Sequence, residues 1–396
     1  MCPPQQQSYP NINDLPLEVL EHILSYLCLA DRKDAALVCR YWEQLALSYR
    51  AMEKVKLSLK MNLEYSAQVL QQSWRPYRVL EIDLRELRCS EFDLEIILMI
   101  LDRVSDSLEA LHLYAECTAS QLRQIVCRTP KLKELRVFLV KSDDGDVIKT
   151  ADFPVLPGLK SFQIVDNMLD VAEVDLIKFA PNLCHLSLES VECREKFRWS
   201  RVLQSVGPQL KSLKIVNKTN IWDCTDEFNF RQLKTLEIQE YNSEEWSEDM
   251  LKKILTGAPN LSSLSLNFQI TRSLLEVICC LPLTNLKICV ASKLGKSSFR
   301  CLEKLTNLKV LHVKGYLNCS MLADCKPLPS VREFHLTVDT FPIDHESIIK
   351  RLSLILPQLR TFRVSCNCSQ LRGNDFVRQI CKSFEVRSTY YFQLVN

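Results

Sequence analysis

The chain has 396 residues, of which 47% are hydrophobic and 25% are charged, as is usual for a soluble folded protein. Its formal net charge of +2 gives no electrostatic reason to expect nucleic acid as a partner. The 7 glycines are so widely spaced that neither GxGxxG nor GxxxxGK[ST] can occur, which excludes the simple nucleotide-binding enzymes built on those motifs. Leucine is the opposite extreme, with 63 residues.

The first ten residues carry no basic and apolar regions of a signal peptide, and we expect them to be disordered. The most apolar run, Ile96–Leu101, is too short to cross a bilayer, so no membrane is expected. These features predict a cytoplasmic or nuclear protein, in which the 18 cysteines stay mostly reduced. Their spacing favours core packing over a metal site.

Residues 11–50 predict a short helical segment. It is predicted to hold three helices: a first that begins at Pro16, a second that Asp31 caps and that carries residues up to Trp42, and a third turn with Leu45 and Ala46. Forty residues cannot bury this many apolar side chains alone. The segment therefore either caps the rest of the chain or exposes an apolar face to another protein.

From residue 51 onward a leucine pattern, L-x-x-L-x-L, recurs about every 25 residues, which is the period of leucine-rich repeats. Its copies include Leu108/Leu111/Leu113, Leu183/Leu186/Leu188 and Leu308/Leu311/Val313. Val79/Ile82/Leu84 is an earlier copy, and Met52/Val55/Leu57 is a weak one.

The repeat predicts an α/β solenoid of about twelve repeats. Each L-x-L stretch forms a short strand, and an amphipathic helix follows it. The predicted helices include Phe92–Val104, Ser120–Arg128, Ser247–Leu255, Ser273–Leu281 and Glu346–Leu356. We expect a horseshoe with parallel strands on its concave face and helices on its convex face, closed by a C-terminal cap over residues 373–396.

The N-terminal segment resembles an F-box in the order and spacing of its residues. The matching residues are Leu15-Pro16-x-Glu18-Val19-Leu20-x-x-Ile23-Leu24-x-x-Leu27, Asp31-Arg32 and Val38-Cys39-Arg40-x-Trp42. With the repeats, the chain resembles the F-box/leucine-rich-repeat family. That family often has a Leu-Trp pair before its first strand, where this chain has Ser48-Tyr49-Arg50.

The resemblance implies a non-catalytic substrate receptor of an SCF-type ubiquitin ligase, bound to a small adaptor and, through it, to a cullin–RING scaffold. Trp42 is expected to hold the helices together. The adaptor-binding residues carried over from the motif are Leu15, Pro16, Val19, Leu20, Ile23, Leu24, Leu27, Val38 and Cys39. The alternative is a protein-binding scaffold whose F-box-like segment only caps the solenoid.

The unknown protein substrate is expected on the concave face, where side chains between the repeat leucines point. Aromatic and arginine residues dominate protein interfaces, so Tyr114, Arg136 and Phe138 on neighbouring repeats are the best candidates. His112 and Gln163 complete the predicted substrate site, and His112 itself is expected to be an ordinary surface histidine. No catalytic residues, metal or cofactor are predicted, since no catalytic or metal-binding motif occurs.

Overall fold

The computed structural model describes most of the chain, in the following stretches: 11–53, 55–60, 62–73, 75–88, 91–139, 153–166, 176–190, 199–217, 227–240, 248–291, 294–338, 345–366 and 389–394. The predicted disorder of residues 1–10 and most of the predicted C-terminal cap lie outside these residues. The described chain divides into two compact units, one up to Leu139 with residues 153–159, and one from Lys160 onward.

Three short helices open the first unit: α1 (Leu17–Ser25), α2 (Leu29–Ala36) and α3 (Arg40–Ala46). The predicted three helices are present, but the second ends at Ala36 and Trp42 belongs to the third, because the backbone is extended at Cys39. The prediction that Asp31 caps α2 is wrong. The sulfur of Cys28 accepts a hydrogen bond from the Asp31 amide at 3.5 Å and caps this helix, and Cys39 caps α3 in the same way.

The repeat strands follow in chain order, and every described pair is parallel. In the first unit they are β1 (Lys56–Leu59), β2 (Val79–Arg88), β3 (Ala110–Cys117) and β4 (Glu134–Leu139). In the second unit they are β5 (Ser161–Asp166), β6 (His185–Ser190), β7 (Ser212–Asn217), β8 (Thr235–Glu240), β9 (Ser263–Gln269), β10 (Asn285–Val290), β11 (Val310–Gly315), β12 (Glu333–Val338), β13 (Thr361–Cys366) and β14 (Thr389–Leu394).

A helix follows most strands. These helices are α4 (Leu63–Gln71), α5 (Glu91–Val104), α6 (Ala119–Cys127), α7 (Leu176–Phe179), α8 (Trp199–Val206), α9 (Glu248–Thr256), α10 (Arg272–Ile278) and α11 (His345–Ile355). The five predicted helices agree with α5, α6, α9, α10 and α11 within three residues at each end. After β10 the chain instead forms a 3-10 helix, Ser298–Lys304.

The repeat leucines pair with one another across neighbouring strands, which gives each unit a continuous apolar core. The second leucine position is occupied in turn by Phe162, Leu186, Leu213, Leu236, Leu264, Leu286, Leu311, Phe334 and Phe362. All of these side chains are at most 4% exposed. Burial of each such side chain contributes roughly 1.5–3 kcal/mol. The α/β repeat fold predicted from the leucine spacing is confirmed.

The predicted positions of the first two repeats are wrong by two residues. Leu80, not Ile82, pairs with Leu111 of β3, and Leu57 pairs with Leu80. Because side chains alternate along a strand, a shift of two keeps the same face buried and leaves the hydrophobic pattern equally good. The residue paired with His112 is therefore Glu81, whereas Asp83 pairs with Tyr114.

Candidate functional site

The three N-terminal helices have a small core of their own. Leu20 and Leu24 of α1 are buried together with Leu45 and Ala46 of α3. Trp42 packs against this cluster, and its indole Nε1 donates a hydrogen bond to Asn13 Oδ1 at 2.7 Å. Trp42 therefore holds the helical segment together, as expected.

The positions of Leu20, Leu24 and Leu27 correct part of the predicted adaptor-binding set. Leu20 is 1% exposed and Leu24 is 3% exposed, and Leu27 packs against them. Because Leu20 and Leu24 already fill the core of the segment, they are not available as a contact surface. They lie four residues apart on one side of α1, and this side faces inward.

A second stripe of α1 is apolar and exposed. Val19 is 42% exposed, Ile23 is 40% exposed, and Tyr26, which follows α1, is 77% exposed. The other predicted adaptor-binding residues that are exposed are Leu15, Pro16, Val38 and Cys39. We call these exposed residues, Leu15, Pro16, Val19, Ile23, Tyr26, Val38 and Cys39, the apolar helical surface.

Sequence reasoning missed several exposed apolar residues of this segment. They are Ile12, Leu17, Tyr26, Leu29, Leu37 and Tyr41. The signal for Tyr26 was present, since residues 19, 23 and 26 have the spacing of one helical stripe. Leu37, at 85% exposure, lies in the turn between α2 and α3 and belongs to no such pattern.

The helical segment is also attached to the first repeat. Leu47, Met52 and Val55 form a buried cluster, against which Ala36 of α2 and Tyr77 pack. This cluster lies within the first unit and joins the third helix to the first strands.

Polar contacts reinforce this attachment. Ser48 Oγ donates a hydrogen bond to Glu21 Oε1 at 2.7 Å. Arg78, before β2, pairs with Glu53 at 2.8 Å and with Glu109 at 2.6 Å. Its guanidinium carbon also lies 5.1 Å from the centre of the Tyr49 ring, within the range of a cation–π contact. The residues that replace the family's Leu-Trp pair therefore contribute to the junction.

On the polar face of the first unit, five side chains form a charged row across β1, β2, β3 and β4. His112 Nε2 lies 3.1 Å from Glu134 Oε1, and its Nδ1 lies 4.0 Å from Glu81. Arg136 Nε lies 2.7 Å from the same Glu134 oxygen. The row ends at Lys56, which pairs with Glu81 at 2.7 Å.

This row alters the acidity of one carboxylate and corrects one expectation. The hydrogen bond from His112, together with the charge of Arg136, lowers the pKa of Glu134 to about 2. His112 is 9% exposed and bonded, so it is not an ordinary surface histidine. Arg136 is likewise already engaged by Glu134.

The predicted substrate residues divide between the units. His112 and Tyr114 lie on β3 beside Arg136 and Phe138 on β4, and His112 pairs in register with Arg136. Tyr114 and Phe138 are half-buried. Gln163 lies on β5 in the second unit, where its amide nitrogen donates to Glu189 at 3.1 Å. As a binding site, this set stays a prediction.

Comparison with known proteins identifies the N-terminal segment. Residues 12–55 match the family model described as F-box-like. No curated protein matches the chain. The chain thus has an F-box-like helical segment at its N-terminal end, followed by a parallel-stranded repeat array.

Two solved structures are similar to the chain over most of its length, at low sequence identity. The chain is similar to one in the crystal structure of the Rad7 and Elc1 complex in yeast, with 13% identity, a TM-score of 0.44, and coverage of 90% of this chain and 91% of that chain. It is also similar to the leucine-rich repeat-containing protein LegL7 from Legionella pneumophila, with 12% identity, a TM-score of 0.29, and coverage of 86% and 96%.

Membrane-spanning helices and metal-ligand clusters are both absent from the described residues. No helix there is both long and apolar enough to span a membrane. In the same part of the chain, no three His, Cys, Asp or Glu side chains are grouped so that they could hold a metal ion.

Proposed function

We propose that this chain is the substrate-recognition subunit of an SCF-type ubiquitin ligase. The F-box-like segment binds the small adaptor subunit and, through it, a cullin–RING scaffold, while the repeats bind the protein to be ubiquitinated. The observation that carries this proposal is the apolar helical surface. It remains exposed although the segment already has a filled core of its own.

The exposure distinguishes this function from the alternative of a scaffold capped by the helices. A cap needs only the side that packs on the first repeat, and the Leu47 cluster supplies that side. A capping role gives no reason for Val19, Ile23 and Val38 to be apolar and at least 40% exposed on the same small segment. Exposed apolar groups of this kind are typical of a protein–protein interface.

In this role the chain makes and breaks no covalent bond itself. It holds a target close to a loaded ubiquitin-conjugating enzyme and so raises the effective concentration of the reacting groups. The second unit provides an adequate surface, since ten strands at about 4.8 Å spacing extend for roughly 43 Å along the sheet. A standard interface needs about 800 Å² per partner.

We further propose that the protein works in the cytoplasm or the nucleus. The cysteines in the described part of the chain are free thiols, and several, such as Cys28 and Cys39, are exposed. Thiols of this kind persist in a reducing compartment. Fractionation of cells that express the tagged chain tests this, and recovery from the secretory pathway would contradict it.

Co-purification of the tagged full-length chain tests the main proposal. We expect the wild-type chain to retain the adaptor and the cullin. Replacing Val19 and Ile23 by glutamate should abolish this, because charge enters an apolar interface. Replacing Leu15 and Pro16 by alanine should weaken it.

The matched control replaces Val69 and Leu354, which are 50% and 64% exposed on α4 and α11, by glutamate. This control should retain the adaptor. If the wild-type chain captures no adaptor, or if both glutamate pairs lose it equally, the ligase proposal fails.

A further inference from the structure

The polar face of the second unit carries a row of basic side chains on four consecutive strands. Lys287 of β10 pairs in register with His312 of β11, which pairs with His335 of β12, which pairs with Arg363 of β13. The two imidazole rings lie 5.6 Å apart between their centres. Lys314, two residues beyond His312 on the same face, adds a third cation. We call these five residues the basic row.

Few negative charges oppose the basic row. Among the outward-facing residues of β9 to β13, the one carboxylate is Glu333, 3.6 Å from His335 Nε2. No ion pair joins Lys287 or Lys314 to a carboxylate within the described residues, and Lys314 Nζ donates instead to Asn267 Oδ1 at 2.9 Å. The positive charges of Lys287 and Lys314 therefore have no carboxylate partner among the described residues.

The strands at the start of the same unit differ. There the outward carboxylates of Glu189 and Glu237 outnumber the one cation, Lys214, which pairs with Glu189 at 2.6 Å. The excess positive charge is thus confined to one part of this face. This charge affects the two imidazoles. Burial, together with Lys287 and Lys314, lowers the pKa of His312 to about 4. Burial, together with Arg363, lowers the pKa of His335.

We propose that the basic row binds an extended acidic segment of a partner protein, whose carboxylates lie opposite Lys287, Lys314 and Arg363. This deepens the proposed function, on which it rests, by naming the chemical class of the substrate's recognition segment. The partner's charge is complementary to that of the row, and its carboxylates supply acceptors for Lys287 and Lys314, which have no carboxylate partner among the described residues.

The spacing of the cations favours separate single charges on a peptide over one phosphate group. Lys287 and Arg363 lie three strands apart, which corresponds to about 14 Å. In an extended peptide, residues four positions apart point to the same side and lie roughly 13–14 Å apart. Carboxylates at positions i and i+4 of a segment that crosses the strands therefore match Lys287 and Arg363.

Fluorescence anisotropy with a labelled Ser-Glu-Ser-Glu-Ser-Glu-Ser peptide and the purified full chain tests the proposal. We expect saturable binding that weakens as salt increases. The double variant Lys287→Glu and Arg363→Glu should weaken binding about tenfold or more, and it should gain affinity for the corresponding lysine peptide. That gain also shows that the variant is folded.

The matched control replaces Arg300 and Lys350 by glutamate. Both residues are exposed, they lie in the 3-10 helix and in α11, and the overall charge changes equally. This control should bind the acidic peptide as the wild type does. The proposal is overturned if the wild type does not bind, if both double variants lose binding equally, or if only a singly phosphorylated peptide or an RNA homopolymer binds.

The outcome is separable from that of the proposed function. Adaptor capture depends on Val19 and Ile23 in the first unit, whereas this assay contains no adaptor. Loss of peptide binding with normal adaptor capture overturns the acidic-segment inference alone. Peptide binding without adaptor capture overturns the ligase proposal, and the basic row remains a docking surface for an acidic partner.

Discussion

Two neighbouring residues of α1 should separate folding from adaptor binding. Leu24 is 3% exposed in the helical core, whereas Ile23 is 40% exposed on the apolar helical surface. Truncation of either to alanine removes about three carbon groups, worth about 0.8 kcal/mol each in transfer free energy. Because their burial differs, the loss should lower folding stability for Leu24, whereas for Ile23 part of it should lower adaptor affinity.

For Leu24→Ala the whole transfer free energy is lost from folding stability, and the cavity left behind increases the loss. The segment should therefore lose about 2–5 kcal/mol of stability. For Ile23→Ala the buried fraction is roughly 60%, so about 1.4 kcal/mol of the transfer free energy is lost from folding stability. The remaining exposed part, about 1 kcal/mol, is available to the adaptor interface and corresponds to roughly fivefold in Kd.

Hydrogen exchange of the α1 amides measures the first effect locally, and isothermal titration with recombinant adaptor measures the second. Val69→Ala on α4, also half exposed, should change neither by more than about 0.5 kcal/mol. If Ile23→Ala destabilises α1 as much as Leu24→Ala does, or if it leaves adaptor affinity unchanged, the assignment of inward and outward stripes is refuted.

Three further perturbations follow from the structure. Arg78→Ala removes both carboxylate pairs of a side chain that is 16% exposed and should cost about 1–3 kcal/mol in urea unfolding, whereas Arg78→Lys should cost less. Because burial lowers the pKa of His312 from its ordinary value of 6.5 to about 4 in the folded protein, the folded form binds fewer protons, so stability should fall as pH drops from 6.5 towards 4. Replacement of His312 by glutamine should flatten that part of the stability–pH curve. Gly315→Ala should lower the melting temperature, because φ is +99° and a Cβ would lie 2.5 Å from the Val290 carbonyl oxygen, whereas Gly295→Ala, with open space around it, should not.

The sequence predicted the repeat fold because its signal is redundant. Each repeat presents two or three apolar residues at the same spacing, and their pairing in register is the only arrangement that buries all of them together. The register of the first two repeats was not predictable in this way. In β2, Leu80, Ile82 and Leu84 are all buried, so a pattern of period two fits equally well in two positions.

Strand β14 and the helix caps show what local patterns cannot supply. Residues 389–394 carry no leucine in the repeat positions, yet their backbone pairs with β13 over six residues. The caps of α2 and α3 are the sulfurs of Cys28 and Cys39, in positions where serine, threonine or aspartate is the usual choice. The sequence rule therefore selected Asp31, three residues too late.

The candidate site on β3 and β4 shows why residue type alone misplaces a binding surface. His112 and Arg136 were predicted to bind a partner because they are polar side chains between the repeat leucines, but Glu134 contacts both of them. A partner that used them would first have to break these contacts, at a cost that the new contacts must repay. Tyr114 and Phe138 remain the apolar part of that site.

The basic row presents the opposite electrostatic situation, although the residue types are similar. Lys287 and Lys314 have no carboxylate partner among the described residues, and the pKa of His312 is lowered rather than raised. At these two lysines a partner's carboxylate relieves repulsion instead of breaking an existing ion pair. Binding free energy depends on this difference between the bound and free states. The two polar surfaces should therefore respond oppositely to charge: an acidic ligand gains at the basic row, whereas at the charged row of the first unit it meets Glu81 and Glu134, which already neutralise the cations.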